Sequence, residues 1–283
     1  MRPVINKGKE KMKKALALVL ALTMVLAAGM AAAETAKTEV IVFAAASLTE
    51  SLTEIKALYE AENPGIELVF NFDSSGTLKT QIQEGAACDL FISAAPKQMN
   101  QLDITKDVEK NPDRLDFVLE GSRADLLENK VALVVPEGNP KGIESFDALA
   151  AVLKDGEILM AMGNADVPVG QYTQKILAYY ELNEEELAAA GKLTYGTNVK
   201  EVTTQVVQAS VDCGVVYGTD AFSAGLAVID TATAEMCGQV IYPAAVMKNS
   251  AVPEIARAFL DYLRSEAATT VFEGIGFTAI KTE

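Results

Sequence analysis

Apolar positions along the chain fall into two alternating rhythms. The short runs Val40–Ala44, Ile66–Phe72, Asp89–Ser93, Val131–Val135, Ile158–Met162, Gly214–Tyr217 and Ile241–Val246 read as buried strands. Between them, apolar residues recur at helical spacing. Leu48, Leu52, Ile55 and Tyr59 mark a first helix, stopped by Asn63-Pro64-Gly65, and its start reads as a capping box with Ser47 at the N-cap and Glu50 at the third helical position. Leu78 and Ile82 mark a second helix, which begins near Thr77 after the Asp73-Ser74-Ser75-Gly76 loop and ends at Gly85. Tyr172, Ile176 and Leu177 mark another behind Pro168, whose missing N–H costs nothing in a first turn. Asn198 caps a further helix, with Glu201 at the box position and Val202 and Val206 facing inward. Gln101–Asn129 reads as a polar connection, and a helix from Pro253 through Leu263 closes the chain. Strands alternating with amphipathic helices predict an α/β fold with largely parallel sheets.

The first residues stand outside this pattern. Arg2, Lys7, Lys9, Lys11, Lys13 and Lys14 precede the apolar run Ala15–Ala28, and Ala31-Ala32-Ala33 forms an A-x-A motif. That order predicts a signal peptide over 1–33, cleaved near Ala33, and hence an exported chain. No cysteine follows the apolar run to carry a lipid anchor, and no later run is long enough to cross a bilayer.

Composition narrows the chemistry. The 283 residues contain no histidine, which removes Ser-His-Asp and Cys-His machinery and every His-containing metal site. Cys88, Cys213 and Cys237 allow one disulfide at most and read as buried thiols or one incidental bridge. The full chain carries 24 basic and 39 acidic residues; without residues 1–33, which hold six basic and one acidic, 18 and 38 remain, a net charge of −20. Such a surface excludes nucleic acid and anionic lipid as partners.

One design occurs at four places: strand, short loop, small residue, helix start. These are Ala46-Ser47, Ser74-Ser75, Pro168-Val169 and Asn198-Val199. Each helix start offers free backbone N–H groups and about +0.5 of effective charge, so four converging ends supply about +2, enough for a dianion without lysine or arginine. Taken singly, Ser47 is an ordinary cap and Ser74-Ser75-Gly76 an ordinary turn; Tyr179, Tyr180, Met160 and Met162 are packing residues. Gly163–Gly170 lacks the Gly-Lys-Ser/Thr ending of a phosphate loop, which argues against nucleotide binding.

VFAAASL (Val42–Leu48), FDSSGTL (Phe72–Leu78), CDLFISA (Cys88–Ala94), DVPVGQY (Asp166–Tyr172) and VVYGTDA (Val215–Ala221) together resemble the periplasmic molybdate-binding proteins of ABC importers, in order and spacing. The resemblance implies a type II periplasmic-binding fold, two α/β domains joined by two crossing strands around a ligand cleft. Domain I is expected over 34–125 plus 241–283 and domain II over 126–240. The ligand implied is molybdate or tungstate, held by the hydroxyls of Ser47, Ser75 and Tyr217 and the backbone amides of Val169 and Val199. Protein atoms would touch the anion's oxygens, with no direct metal ligand and no cofactor. The partners implied are an ABC permease and its ATPase, and the chain is expected to be a periplasmic or otherwise extracytoplasmic monomer. Asp73 departs from the family pattern; a carboxylate turned into the cleft would favour hydrogen phosphate, whereas one facing solvent would not. Cys88 stands where alanine is usual.

Donors without acceptors would reject a protonated oxyanion, because its O–H would be left unpaired at about 1–3 kcal/mol. The rival readings are a binding protein for sulfate, phosphate or a metal held by tyrosines and carboxylates, and a carboxylate-based hydrolase. Neither a G-x-S-x-G element nor a histidine supports the hydrolase.

Overall fold

The computed structural model describes residues 37–281; the expected signal peptide and cleavage point lie outside the described residues. In chain order the strands are β1 Thr38–Ala45, β2 Ile66–Asp73, β3 Leu90–Ile92, β4 Ala124–Asn129, β5 Val131–Val134, β6 Met160–Gly163, β7 Leu193–Gly196, β8 Cys213–Tyr217, β9 Val228–Thr231, β10 Val240–Val246 and β11 Thr278–Ala279. The helices are α1 Thr49–Glu62, α2 Ser75–Gln83, α3 Pro96–Leu102, α4 Phe146–Asp155, α5 Pro168–Tyr179, α6 Glu184–Ala189, α7 Val199–Val207, α8 Gly218–Ala224, α9 Ala234–Cys237, α10 Pro253–Tyr262 and α11 Glu266–Ile275.

The strands form two sheets, ordered β11-β4-β10-β3-β1-β2 and β7-β6-β8-β5-β9. Each is mixed. β1 runs parallel to β3, and β6 parallel to both β7 and β8, while β10 is antiparallel to β3 and β4, and β5 antiparallel to β8 and β9. β4 ends at Asn129 in the first sheet and β5 begins at Val131 in the second, so Lys130 alone carries the chain across. It returns between β9 and β10. This is the type II periplasmic-binding fold. The boundary expected at 125 leaves most of β4 with the second sheet, yet its pairing is with β10 and β11 in the first.

Why the strands read as continuous apolar runs is plain from the layers. On β1, Val42 and Ala44 pack into the large core, while Phe43 between them packs on the opposite face with Leu78, Ile82, Phe91 and Met99. Both faces of the sheet are covered, so neither side of the strand is left polar. Largely parallel sheets were expected and mixed ones are found, because β10 and β5 run against their neighbours; two further expectations fail. The polar stretch Gln101–Asn129 contains β4, whose alternation is blurred by Asp125 and Glu128, and the chain does not close at Leu263, because α11 and β11 follow.

Candidate functional site

β1 runs straight into a 3₁₀ turn at Ala46–Leu48, and α1 starts at Thr49 with Leu48 as its N-cap and no side-chain cap. The expected capping box at Ser47 is therefore absent. Ser47 is buried, and its hydroxyl lies 2.9 Å from that of Tyr242 on β10. Packing against another strand has taken the side chain away from its own helix.

At the start of α2, Ser74 is the cap, accepting from the Thr77 amide at 3.1 Å. Ser75 is thereby free of capping. Its hydroxyl oxygen accepts from the Ala94 amide at 2.9 Å, which uses a lone pair and leaves the O–H proton available. Ser75 is fully buried. The CDLFISA segment owes its role here to Ala94, and its Asp89 has a structural one: the carboxylate accepts from the Ile41 and Ala251 amides and the Ser250 hydroxyl.

α5 begins with Pro168 at its first position and no side-chain cap, so the first-turn amides, Val169 among them, have no capping partner. Asn198 caps α7 as expected, accepting from the Glu201 amide at 3.1 Å, and Val199 occupies the first helical position. Both valines are buried.

Tyr217, at the end of β8, is 1% exposed, and its hydroxyl has no hydrogen-bond partner. A buried polar group in that condition is rare and points to a missing partner. Its ring meets Tyr172 of α5 on one side and Tyr242 on the other, at centroid distances of 6.4 and 5.8 Å. The Tyr242 hydroxyl is near enough to weigh on Tyr217's ionisation, but no contact of hydrogen-bonding geometry joins them. Burial, above all, pushes both phenols well above the ordinary tyrosine range, so both stay protonated donors.

The four helix starts are tied to one another across the two sheets. The Gly76 amide in α2 donates to the Asp166 carbonyl ahead of α5 at 3.1 Å. Asp73, ahead of α2, accepts from the Ser74 amide at 2.7 Å and reaches Asn198 Nδ2 at 3.5 Å. Its carboxylate thus joins two loops. Lys200 in α7 reaches Glu50 Oε2 in α1 at 2.7 Å and Asp220 Oδ1 in α8 at 3.0 Å. Ser47, Tyr242 and Tyr217 link the first helix start to the end of β8.

Sequence reasoning missed several members of this assembly. Tyr242 was hidden in an apolar strand and Asn129 in a polar stretch. Lys200 is a cation one residue beyond Val199, neutralised by two carboxylates. Burial works against its charge, but Asp220 and Glu50 outweigh it and hold the ammonium above its ordinary pKa. Asp220 is fully buried, and that burial raises its carboxyl to about 6 even against the Lys200 charge. The ammonium is close, yet neither Asp220 oxygen receives a well-directed hydrogen bond. All three cysteines are buried and unpaired. Among the described residues no cluster of three or more acidic or cysteine side chains could hold a metal, and no helix is long and apolar enough to cross a membrane.

Residues 40–278 match the family described as bacterial extracellular solute-binding protein. The chain belongs to that family. Solute-binding proteins of this kind are binders rather than enzymes. The Bacillus subtilis protein YvgL, provisionally named an ABC transporter substrate-binding lipoprotein, is 34% identical over 86% of this chain and 87% of its own length. The molybdate-binding protein ModA of Haemophilus influenzae is 33% identical over 91% of this chain and 96% of its own. Among solved structures, the periplasmic molybdate-binding protein of Azotobacter vinelandii superposes with a TM-score of 0.71 at 20% identity, covering 86% of this chain and all of that one, a likeness of fold.

Proposed function

We propose that this solute-binding protein captures a fully deprotonated tetrahedral oxyanion, molybdate or tungstate, for an ABC importer made of a permease and its ATPase. The contacts are the hydroxyls of Ser47, Ser75 and Tyr217 and the amides of Val169 and Val199, all to the anion's oxygens. The observation that carries this reading is the Tyr217 hydroxyl, buried and without a partner, beside the start of α5, which has no side-chain cap. The relatives named for molybdate binding support the choice of anion.

Charge is supplied by peptide dipoles, about +0.5 from each of the helix ends. Lys200, one residue beyond Val199, is already paired with Glu50 and Asp220. The acidic surface of the exported chain does not oppose this at contact range, because it is screened beyond about 8 Å at physiological salt. The elements around the two sheets act as lobes that close on the anion, hinged where the chain crosses at Lys130 and ahead of β10. The protein works as a periplasmic monomer after cleavage near Ala33.

Calorimetric titration of the purified mature chain with molybdate, tungstate, sulfate and phosphate tests the proposal. Tight binding of molybdate and tungstate, with sulfate and phosphate at least tenfold weaker, is expected. Preference for sulfate or phosphate would replace the anion, and no binding of any of the four would end the reading.

A further inference from the structure

Resting on the oxyanion reading above, the geometry assigns Asn129 and Tyr242 a positioning role: a one-way chain of hydrogen bonds that forces the Ser47 hydroxyl to act as a donor toward the ligand.

The direction follows from donor counting. The Lys130 amide can only donate, and it donates to Asn129 Oδ1 at 2.8 Å. That fixes which end of the Asn129 amide is oxygen; turned over, its NH₂ would confront a second N–H. The NH₂ therefore faces the other way and gives one proton to Thr219 Oγ1 at 2.9 Å and one to the Tyr242 hydroxyl at 3.2 Å. Tyr242 is fully buried, and Ser47 is the remaining partner of its hydroxyl, at 2.9 Å. With Asn129 donating to it, Tyr242 must pass its own proton to Ser47. A serine hydroxyl that accepts there has its single proton left to donate.

Ser75 arrives at the same condition by a shorter route, with the Ala94 amide occupying its acceptor side. Both serines are thus polarised by groups whose direction cannot reverse, one by a backbone N–H directly and the other through two side chains. Asn129 is the last residue of β4, and Tyr242 lies on β10, so the relay sits on the segments that carry the chain between the sheets. An oxyanion with no proton meets two serine protons aimed at it, while one bearing an O–H must compete for serine oxygens that already have one lone pair engaged.

The test is a double-mutant cycle with Tyr242→Phe and Ser47→Ala, read by calorimetry with molybdate and with inorganic phosphate near pH 8, where both anions are doubly charged. Tyr242→Phe is expected to weaken molybdate binding about threefold to tenfold in the wild-type background and by less than about twofold in the Ser47→Ala background, since it acts only through that serine. It should also narrow the molybdate-to-phosphate affinity ratio, because Ser47 regains a lone pair for the phosphate O–H and its own proton is no longer directed only at the ligand. Equal losses in both backgrounds, or an unchanged ratio, overturn the relay.

If Tyr242→Phe does not fold, Asn129→Asp serves in its place. It turns the first donor into an acceptor, reverses Tyr242, and draws the Ser47 proton away from the ligand. Its added charge penalises both dianions alike, so a narrowed ratio reports the relay and an unchanged ratio overturns it. Wild-type protein that binds neither anion overturns the proposed function and the relay with it, whereas wild-type binding with an additive cycle removes the relay alone.

Discussion

Gly76 donates its amide to the carbonyl of Asp166 at 3.1 Å, and a β-carbon on residue 76 would come within 2.2 Å of that same oxygen. The two residues belong to opposite sheets' helix starts, so the missing side chain is what lets those starts meet. Gly76 is not among the glycines with positive φ, and it lies inside the first turn of α2, where alanine is preferred to glycine by about 1 kcal/mol. Gly76→Ala should therefore leave its own helix intact while blocking the approach of the other half. Oxyanion affinity is expected to fall tenfold or more, about 1.4 kcal/mol, with secondary structure unchanged by circular dichroism. Wild-type affinity in this variant would show that the contact plays no part in binding.

Tyr217→Phe should move stability and binding in opposite directions. The hydroxyl is buried without a partner among the described side chains and backbone, so its removal relieves a polar group that costs about 1–3 kcal/mol when unsatisfied. The melting temperature of ligand-free protein is expected to hold or rise. Binding is expected to weaken by about 1.5–3 kcal/mol, the range for a hydrogen bond to a charged group. A lowered melting temperature with unaltered affinity would make Tyr217 a packing residue.

The Lys200–Glu50 pair spans the two sheets at 2.7 Å, with side chains about a third to two fifths exposed. Solvent at that exposure limits such a pair to about 1 kcal/mol or less. Glu50→Gln is expected to weaken ligand binding about twofold to fivefold at low salt. The deficit should shrink in concentrated salt, which screens the wild-type pair. A deficit that does not respond to salt would point to a cause other than the ion pair.

Asp220 predicts a pH dependence of definite sign. Burial raises its folded carboxyl to about 6, against the lowering effect of Lys200, so the folded chain holds that proton more tightly than the unfolded chain does. Its contribution to stability is complete below the unfolded value, about 4, and is lost as pH rises through about 6. Asp220→Asn keeps the shape and removes the titration. The melting temperature of the variant minus that of wild type should therefore increase from about pH 4.5 to about pH 7.5. A difference that is flat or falls over that interval would mean the carboxylate is well satisfied as an ion.

Much of this architecture is legible along the chain, because each helix start is announced by its own residues. Asn198 and Glu201 cap α7 from within five positions, and Pro168 marks α5. Ser47 shows the limit. A serine three residues before a glutamate satisfies the local rule for a cap, yet the hydroxyl lies against that of Tyr242, 195 residues away. β4 leaves little local trace for a related reason: Asp125 and Glu128 interrupt its apolar pattern, and its pairing with β10 and β11 is supplied from the far end of the chain. Asp73 was open between cleft and solvent, and it does something the sequence does not indicate, reaching Asn198 across the two halves.

By itself, then, the amino-acid order determines the α/β class, the helix starts, the absence of histidine chemistry and a set of uncharged donors in the right sequence context. Those follow from periodicity and capping, which act within a few residues and leave a local trace. The tertiary structure alone decides which way a hydroxyl points, that Tyr217 is left without a partner, and that Lys200 is held between Glu50 and Asp220. A buried polar atom takes its partner from whichever layer packs over it, and no local pattern records that choice.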